Sequence, residues 1–350
     1  MRPSPLHRLT LHLLWGVLFL AATVAGAQDE PIQAFPNGQG NGQGLTLLPL
    51  EGAVRIELPG GRAVQVPMPA RAEVSAFAAI DGGWVAAGSV PDAAGGRRLF
   101  LLRGDDRASQ PLPEPPGQES RERRGPVLLV DGGRLAGLAW MEGDGDRTLS
   151  ARAAAWTGQE WQPAERVSFP GPGSQLALTG AVLTDGSWLL AWSAFDGQDD
   201  EIVWSRRVGN VWQPVKRLHA NNSVPDITPA IVAKPDGGAL AAWSRYDGHG
   251  YQLRLARFDP AQGGEWRDEH AAGPSGSLYP TFVGGPRLLY LDASPRGWSV
   301  LDLDAQGRVK ARASVASSLD RPVVAVTGGL VRMRWPAQKV SAAAALEKVP

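Results

Sequence analysis

The chain has 350 residues, 35 acidic and 35 basic side chains, and no cysteine. Without cysteine it forms no disulfides, so apolar burial must supply its stability. A formal net charge of zero lacks the basic excess of proteins that bind nucleic acids or anionic membrane surfaces, and we expect neither as a partner.

The N-terminus has the pattern of a secretory signal peptide. Basic residues precede an apolar run at 11–25, and a small-residue cleavage motif ends at Ala27. We therefore expect residues 1–27 to be removed, which leaves a periplasmic or secreted protein with no membrane span. The alternative is an uncleaved anchor, although His12 interrupts the apolar run.

The rest of the chain divides into three parts. Residues 28–44, rich in Gly, Gln and Asn, are predicted to be a flexible linker. From 45 to 336, short apolar or β-branched runs alternate with Asp-Gly, Gly-Gly, Pro-Gly and Asn-Gly turns, which is typical of β-strands. Residues 337–350 are a C-terminal tail, expected to be a short helix or disordered and to lie outside the core.

Internal repeats organise the β region. Trp140, Trp192 and Trp243 begin similar segments and are 52 and 51 residues apart. A repeat of this length is typical of the blades of a β-propeller. Each copy divides into four strands, A to D. Weaker copies lie on both sides, and a sixth copy, starting at 323, has only two strands.

The incomplete sixth copy predicts how the array ends. A ring of four to eight blades removes the exposed sheet edges of an open array. We therefore predict an all-β, six-bladed β-propeller with four-stranded blades, whose last blade combines the strands of 45–67 with the C-terminal strands. Seven blades are the alternative if 45–67 forms a blade alone.

The turn between strands C and D carries a family resemblance. Ser205, Gly209 and Trp212 have spacings of four and three residues, and Gly158 and Trp161 repeat the last spacing. This pattern resembles a degenerate bacterial neuraminidase repeat, or Asp-box, of sialidase-like propellers. Its Asp is replaced here, and in that family the motif is a fold element on the face opposite the active site.

A sialidase resemblance implies an arginine triad, a tyrosine nucleophile with a glutamate partner, and an aspartate acid/base. The nearest string to the family's N-terminal arginine motif is Val54-Arg55-Ile56-Glu57, which alternates like an ordinary strand. No tyrosine has a glutamate partner in its own segment. We therefore name no catalytic residue, and a glycoside hydrolase with a divergent active site is the alternative to a non-catalytic protein.

Loops B–C and connections D–A of a propeller emerge on one rim around the central channel, so we expect a ligand there. The third repeat places Asp196, Asp199, Asp200 and Glu201 in its B–C loop. The full set of predicted rim residues is Arg71, Arg121, Asp144, Asp196, Asp200, Asn222, Asp226, Tyr246, Asp247 and His249.

Two interpretations of these polar residues stay open. Asp-Gly after a strand is also what a hairpin turn requires, whatever the function. If the loops converge, their oxygens could instead hydrogen-bond a sugar beside tyrosine, or bind calcium. Because the Gly143–Asp146 string lacks the full EF-hand pattern, we predict no metal site and no cofactor.

Other catalytic motifs are absent from the sequence. It contains no phosphate-binding glycine loop, no histidine pair at zinc spacing and no Gly-x-Ser-x-Gly elbow. The sequence thus predicts an exported, non-catalytic binding or scaffold propeller, with a glycan or a protein as its unidentified partner.

Overall fold

Short antiparallel strands make up nearly all of the structure, which is a computed structural model. It describes residues 46–50, 52–58, 62–116, 122–143, 148–167, 169, 171–283, 285–293, 296–316, 323–327, 330–334, 341–343 and 347–348. All of them belong to the compact unit Pro31–Pro350. The predicted signal peptide and linker lie outside the described residues.

The described strands form seven antiparallel sheets, here numbered I to VII in chain order. Sheets I (β1–β3) and VII (β25–β27) have three strands. Sheets II (β4–β7), III (β8–β11) and V (β17–β20) have four, while IV (β12–β16) and VI (β21–β24 with β28) have five. The strands are β1 (Thr46–Leu50), β2 (Ala53–Glu57), β3 (Ala63–Pro67), β4 (Glu73–Ile80), β5 (Gly83–Pro91), β6 (Arg97–Gly104), β7 (Ser109–Leu112), β8 (Arg123–Asp131), β9 (Arg134–Gly143), β10 (Leu149–Ala155), β11 (Glu165–Arg166), β12 (Gln175–Val182), β13 (Trp188–Phe195), β14 (Asp200–Val208), β15 (Val211–Trp212), β16 (Lys216–Arg217), β17 (Asp226–Ala233), β18 (Ala239–Tyr246), β19 (Tyr251–Asp259), β20 (Glu265–Ala272), β21 (Ser277–Phe282), β22 (Arg287–Ala293), β23 (Arg296–Leu303), β24 (Val309–Ala316), β25 (Val323–Thr327), β26 (Leu330–Arg334), β27 (Ser341–Ala343) and β28 (Glu347–Lys348), with one 3-10 turn at Pro260–Gln262.

The all-β architecture and the four-stranded units predicted from the sequence are confirmed, but the predicted terminal blade differs. Strands β1, β2 and β3 pair with one another, and β25, β26 and β27 do the same. Among the described strands, none from the N-terminal sheet pairs with one from the C-terminal sheet. The described tail residues are the short strands β27 and β28 rather than a helix.

The repeat tryptophans lie in the core for a simple reason. Strands β9, β13 and β18 are the second strands of their sheets, covered on both faces by neighbouring sheets. Trp140, Trp192 and Trp243 are 0% exposed. Their spacing in the sequence therefore reflects one structural position repeated in three successive sheets.

A β-bulge recurs near the start of the first strand in sheets III to VI. Two residues after the opening residue of β8, β12, β17 and β21, the backbone has positive φ, at Gly125 (58°), Ala177 (55°), Thr228 (54°) and Tyr279 (53°). Positive φ is unfavourable for side chains other than glycine, and bulges reorient neighbouring side chains. Because four sheets share this bulge, we assign it to the architecture and not to one site.

The predicted hairpin between strands C and D is present in sheet IV. Arg207 pairs with Trp212 across it, and Gly209 adopts φ 58° in the turn. The Ser205 hydroxyl donates to the carbonyl of Gln213 at 2.7 Å. The structure thus has the tight turn that the spacing predicts, at the end of β14 remote from Asp200.

Helices contribute little to the part of the chain that the structure describes. No helix there combines the length and the apolar character needed to cross a membrane.

Candidate functional site

The opening residue of the first strand occupies matching positions in four sheets. Arg123, Gln175, Asp226 and Ser277 each pair with a residue near the end of the second strand. Arg121, the predicted rim residue of the second repeat, lies two residues before this position and outside the described residues.

Each repeat tryptophan donates its indole N–H to a buried polar side chain nearby. The acceptor is Glu142 for Trp140 at 3.0 Å, Gln175 for Trp192 at 2.6 Å, and Asp226 for Trp243 at 2.5 Å. The acceptor is therefore part of the scaffold in all three sheets. What differs between the sheets is the charge placed around it.

Asp226 is fully buried and strongly held. Its Oδ1 accepts from Nε1 of Trp243 at 2.5 Å and from Nε of Arg245 at 2.8 Å. Its Oδ2 accepts from Nδ2 of Asn222 at 2.8 Å. The side chain therefore has a fixed orientation, with Oδ2 directed away from the indole.

The loop between β13 and β14 brings further carboxylates to Asp226. Asp199 is 8% exposed and Glu201 is 0% exposed, and none of their four oxygens has a hydrogen bond of normal geometry from the described residues. Asp196 instead accepts from Arg217 at 2.7 Å. The Ser193 hydroxyl donates to the backbone carbonyl of Asp226 at 3.1 Å, which joins this loop to the start of β17.

His219 completes what we call the buried cluster, namely Asp199, Glu201, His219 and Asp226. Its side chain is fully buried, and its Nε2 lies 3.4 Å from an oxygen of Glu201 and 3.4 Å from Oδ2 of Asp226. Its Nδ1 lies 2.9 Å from the carbonyl oxygen of Ala220. The ring stacks on Trp243 at 5.5 Å between centroids. The imidazole is therefore locked in one orientation.

Burial dominates the electrostatics of the cluster. Burial, reinforced by Asp226 and Asp199, raises the pKa of Glu201 to about 7; the Asn222 backbone N–H has a smaller opposite effect. Burial and neighbouring carboxylates also raise the pKa of Asp199 to about 6. Burial lowers the pKa of His219, against the attraction of Asp226. Burial thus favours the neutral forms of His219, Glu201 and Asp199.

The cluster offers the chemistry of a cation site more than that of a substrate site. One ligand atom each from Glu201, His219 and Asp226 lies within 4.8 Å of the others, and the same holds for Asp196, Asp199 and Glu201. Their ligand atoms are nitrogen and oxygen, and all of these residues except the partly exposed Asp196 are buried. A sugar ring would find no accessible surface on Glu201 or Asp226, which are both 0% exposed.

The second group of predicted residues, on the β18–β19 loop, has different partners. Asp247 accepts from the backbone N–H groups of His249 and Gly250 and from the Ser275 hydroxyl. These hydrogen bonds lower its pKa. His249 is exposed at the loop tip. For Asp247 the contacts favour the turn interpretation over a ligand role.

Tyrosines flank this loop. Tyr246 and Tyr251 pair at the ends of β18 and β19, with their rings 5.6 Å apart and T-shaped. Burial, followed by the charge of nearby Asp200 and by Tyr279 and Tyr246, raises the pKa of Tyr251 to about 12. Tyr246, Tyr251 and Tyr279 are each partly exposed.

The remaining predicted residues do not join the cluster. Arg71 is exposed in the turn before β4, with φ 60°. Asp200 opens β14 and is half-buried. Asp144, like Arg121, lies outside the described residues.

Several important residues were not among the predicted site residues, because sequence gave no reason to single them out. His219 follows strand β16, and Glu269 lies on β20, where it accepts from Arg245 at 2.5 Å and from Arg254 at 2.8 Å. A lone histidine has no spacing signal. The only available hint was its position just before Asn221 and Asn222 on a connection already predicted to reach the rim.

A surface cleft lies beside the cluster, between the outer strands of sheets IV and V. Its volume is about 350 Å³. It is lined by Arg217, Leu218, His219, Ala220, Ala256, Glu265, Trp266, Arg267, Asp268 and Glu269. The cleft brings solvent close to the backbone of His219, whose side chain lies beneath.

Comparison with known proteins supports the fold. No protein-family model and no curated protein matches the sequence. Among solved structures, the chain is similar to an ulvan lyase of polysaccharide lyase family PL25, with TM-score 0.52 and 10% identity over 88% of this chain and 92% of that one. It is also similar to a putative TolB from Agrobacterium tumefaciens (TM-score 0.44, 16% identity, 73% and 86% covered) and to a nidogen/laminin complex (0.45, 16%, 77% and 93%).

The ulvan lyase, the one of these three with a TM-score above 0.5, is a β-propeller-like protein. Together with the antiparallel sheets described above, this similarity supports a propeller fold. Similarity at this level of identity concerns the fold alone, because one fold hosts many unrelated functions.

Proposed function

We propose that the chain is an exported, non-catalytic binding protein whose ligand is a glycan. The proposed binding surface, here called the tyrosine rim, consists of Tyr246, Tyr251, Tyr279 and Asp200. The observation that supports it most is the gathering of three of the chain's four tyrosines at one place. Export rests on the predicted signal peptide at 1–27.

The tyrosine rim lies where loops from two sheets meet. The carbonyl of Tyr251 accepts from the backbone N–H of Gly276 at 2.6 Å, which fixes the start of β19 against the connection into β21. The hydroxyl of Tyr246 donates to the carbonyl of Gly248 at 3.0 Å. Hydrogen bonds therefore hold the Tyr246 side chain and the backbone of Tyr251 in place.

This combination suits a sugar ligand. Aromatic rings cover the apolar face of a pyranose, while carboxylate and hydroxyl oxygens hydrogen-bond its hydroxyls. Because Asp200, Asp226 and Asp247 place negative charge around these rings, a neutral glycan is favoured over an anionic one.

The rim requires sheets arranged around one axis. The first strands of sheets II to VI lie beside one another in chain order, and β1 lies beside β25. We therefore propose a ring of seven blades that closes between sheets VII and I. The three strands of sheet I, which pair among themselves, support this count over six. The relation of the hairpin turns to Asp-boxes stays a prediction.

The alternative function, a sialidase-like glycoside hydrolase, needs arginines that can hold a substrate carboxylate. The arginines nearest the cluster are instead bonded to the chain's own carboxylates. Arg217 donates to Asp196, and Arg245 donates to Asp226 and Glu269. These contacts favour binding over hydrolysis.

Affinity electrophoresis tests the proposal. The exported protein is run in native gels containing neutral polysaccharides (dextran, xyloglucan or arabinogalactan) or anionic alginate. We expect retardation by a neutral polysaccharide. Tyr246→Ala and Tyr279→Ala should each weaken it about two- to tenfold, the value of one aromatic contact.

Val211→Ala is the control, because Val211 is 63% exposed at the other end of β14. It should leave the retardation unchanged. The proposal fails if no neutral polysaccharide retards the protein, or if both tyrosine variants are retarded as strongly as the wild type.

A further inference from the structure

We propose that Glu201, His219 and Asp226 bind a divalent transition-metal ion of the zinc type. The ligand set contains none of the tyrosines of the proposed glycan site. It rests on the geometry of the buried cluster and on the charge of its surroundings.

The orientation of His219 is that of a metal ligand. Its Nδ1 lies 2.9 Å from the carbonyl oxygen of Ala220, and a carbonyl only accepts, so Nδ1 carries the proton. In the neutral imidazole, Nε2 then presents a lone pair. Histidines that bind metals typically donate their other N–H to a carbonyl or a carboxylate in this way.

That lone pair points at other acceptors. Nε2 lies 3.4 Å from a Glu201 oxygen and 3.4 Å from Oδ2 of Asp226. Lone pairs converging in a buried space repel one another unless a cation or a proton lies between them. Asp199 adds two more buried oxygens without a hydrogen bond from the described residues.

The spacing fits a small four-coordinate ion. Zinc binds nitrogen and oxygen ligands at about 2.0–2.1 Å, and the edge of such a tetrahedron is roughly 3.3–3.4 Å. The two contacts of Nε2, each 3.4 Å, match that edge. Calcium takes six to eight oxygen ligands at longer distances, so an imidazole in the set favours zinc over calcium.

Charge balance supports a divalent ion over a single proton. Ion pairs connect the cluster to a wider network. Its charged side chains are five carboxylates (Asp196, Asp199, Glu201, Asp226 and Glu269) and three guanidiniums (Arg217, Arg245 and Arg254). Two negative charges therefore lack compensation within this network. One proton would neutralise half of that excess, and a divalent cation would neutralise all of it.

Neighbouring side chains also hold the proposed ligands in place. Oδ1 of Asp226 is held by Trp243 and Arg245, and Asn222 holds Oδ2 from the side. His219 is fixed by its stacking on Trp243. A preorganised ligand set of this kind lowers the cost of binding an ion.

The test uses the exported protein after removal of metals with a chelator. Isothermal titration with ZnCl₂ should show one site, and CoCl₂ should give the intense visible absorption of four-coordinate cobalt. Glu201→Gln and His219→Ala should each weaken zinc binding by about a hundredfold or more, beyond the loss from a second-shell change. CaCl₂ and MgCl₂ should not compete at equal concentration.

His249→Ala is the matched control, since His249 is an exposed imidazole on the neighbouring loop and should not alter zinc affinity. Glu201→Gln keeps the side-chain shape, so it tests the ligand even if His219→Ala fails to fold. The proposal is overturned if zinc does not bind, if Glu201→Gln binds zinc as tightly as the wild type, or if calcium binds in its place. Because Glu201 and His219 lie apart from the tyrosines used in the electrophoresis, failure of one proposal leaves the other standing.

Discussion

Sheet III and the junction of sheets IV and V each place a buried carboxylate on the indole N–H of a repeat tryptophan, but they surround that carboxylate with opposite charge. In sheet III, Glu142 is 1% exposed, accepts from Trp140 and lies between Arg123 at 3.0 Å and Arg152 at 3.5 Å. At the junction, the acceptor Asp226 lies among carboxylates that outnumber their guanidiniums. In sheet III the carboxylate has two arginines as counter-charges, whereas at the junction Asp226 has Arg245 but the surrounding network has fewer guanidiniums than carboxylates.

This difference distinguishes a buried carboxylate that stabilises the fold from one that we propose to bind a cation. A buried carboxylate enclosed by arginines stabilises only while the whole set is intact. A buried carboxylate facing a histidine lone pair and other carboxylates destabilises the protein until a cation arrives. The comparison therefore predicts opposite responses to removal of charge in the two regions.

The largest effect is expected in sheet III. Glu142→Ala leaves two arginines without their buried counter-charge and the Trp140 indole without its acceptor. We expect the free energy of unfolding to fall by about 3–5 kcal/mol, measured by urea denaturation. A loss below about 1 kcal/mol would mean that the ion pairs of Glu142 contribute no more stability than exposed salt bridges do.

A smaller effect is expected in sheet IV, where the acceptor is neutral. Gln175 accepts from Trp192 and from the backbone N–H of Phe169, and donates to the Phe169 carbonyl. Gln175→Leu removes these bonds and leaves a buried indole donor unpaired. The free energy of unfolding should fall by about 1–3 kcal/mol. An unchanged urea midpoint would show that this hydrogen bond is replaced by another partner.

The smallest effect, of opposite sign, is expected at Glu201 in chelator-treated protein. Burial raises its pKa from the ordinary 4.5 to about 7 in the folded state, so the folded protein holds a proton that the unfolded chain releases. Stability should then fall as pH rises from about 4.5 to 7 and level off above that range. Glu201→Gln should lack this decline and be more stable than wild type at pH 8, by on the order of 1 kcal/mol.

Urea denaturation at pH 5 and pH 8 with EDTA present measures this difference. A Glu201→Gln variant less stable than wild type at pH 8 would show that the charge is compensated, and the contrast between the two regions would be lost.

Sequence reasoning predicted the regular parts of this molecule well. The four-stranded units, the repeat marked by the tryptophans and the hairpin at Gly209 all follow from local periodicity and turn chemistry. The proximity of Asp196, Asn222 and Asp226 follows from one topological rule, that B–C loops and D–A connections share a rim. Each of these features depends on a short stretch of chain or on repetition.

The features that were not predicted from the sequence depend on contacts between residues far apart in the chain. The sequence offered the self-paired sheet of β1 to β3 only as the alternative to a shared blade, because strand patterns do not specify which edges pair. The role of His219 depends on three segments meeting at one buried point, and neither its spacing nor its neighbours in the chain encode that meeting.

Anomalous X-ray diffraction from crystals of the protein grown with CoCl₂, recorded at the cobalt edge, tests the central claim most directly. The account predicts one dominant anomalous peak within bonding distance of Nε2 of His219 and of oxygens of Glu201 and Asp226. Peaks found only elsewhere, with Glu201 hydrogen-bonded to Nε2 of His219, would contradict it.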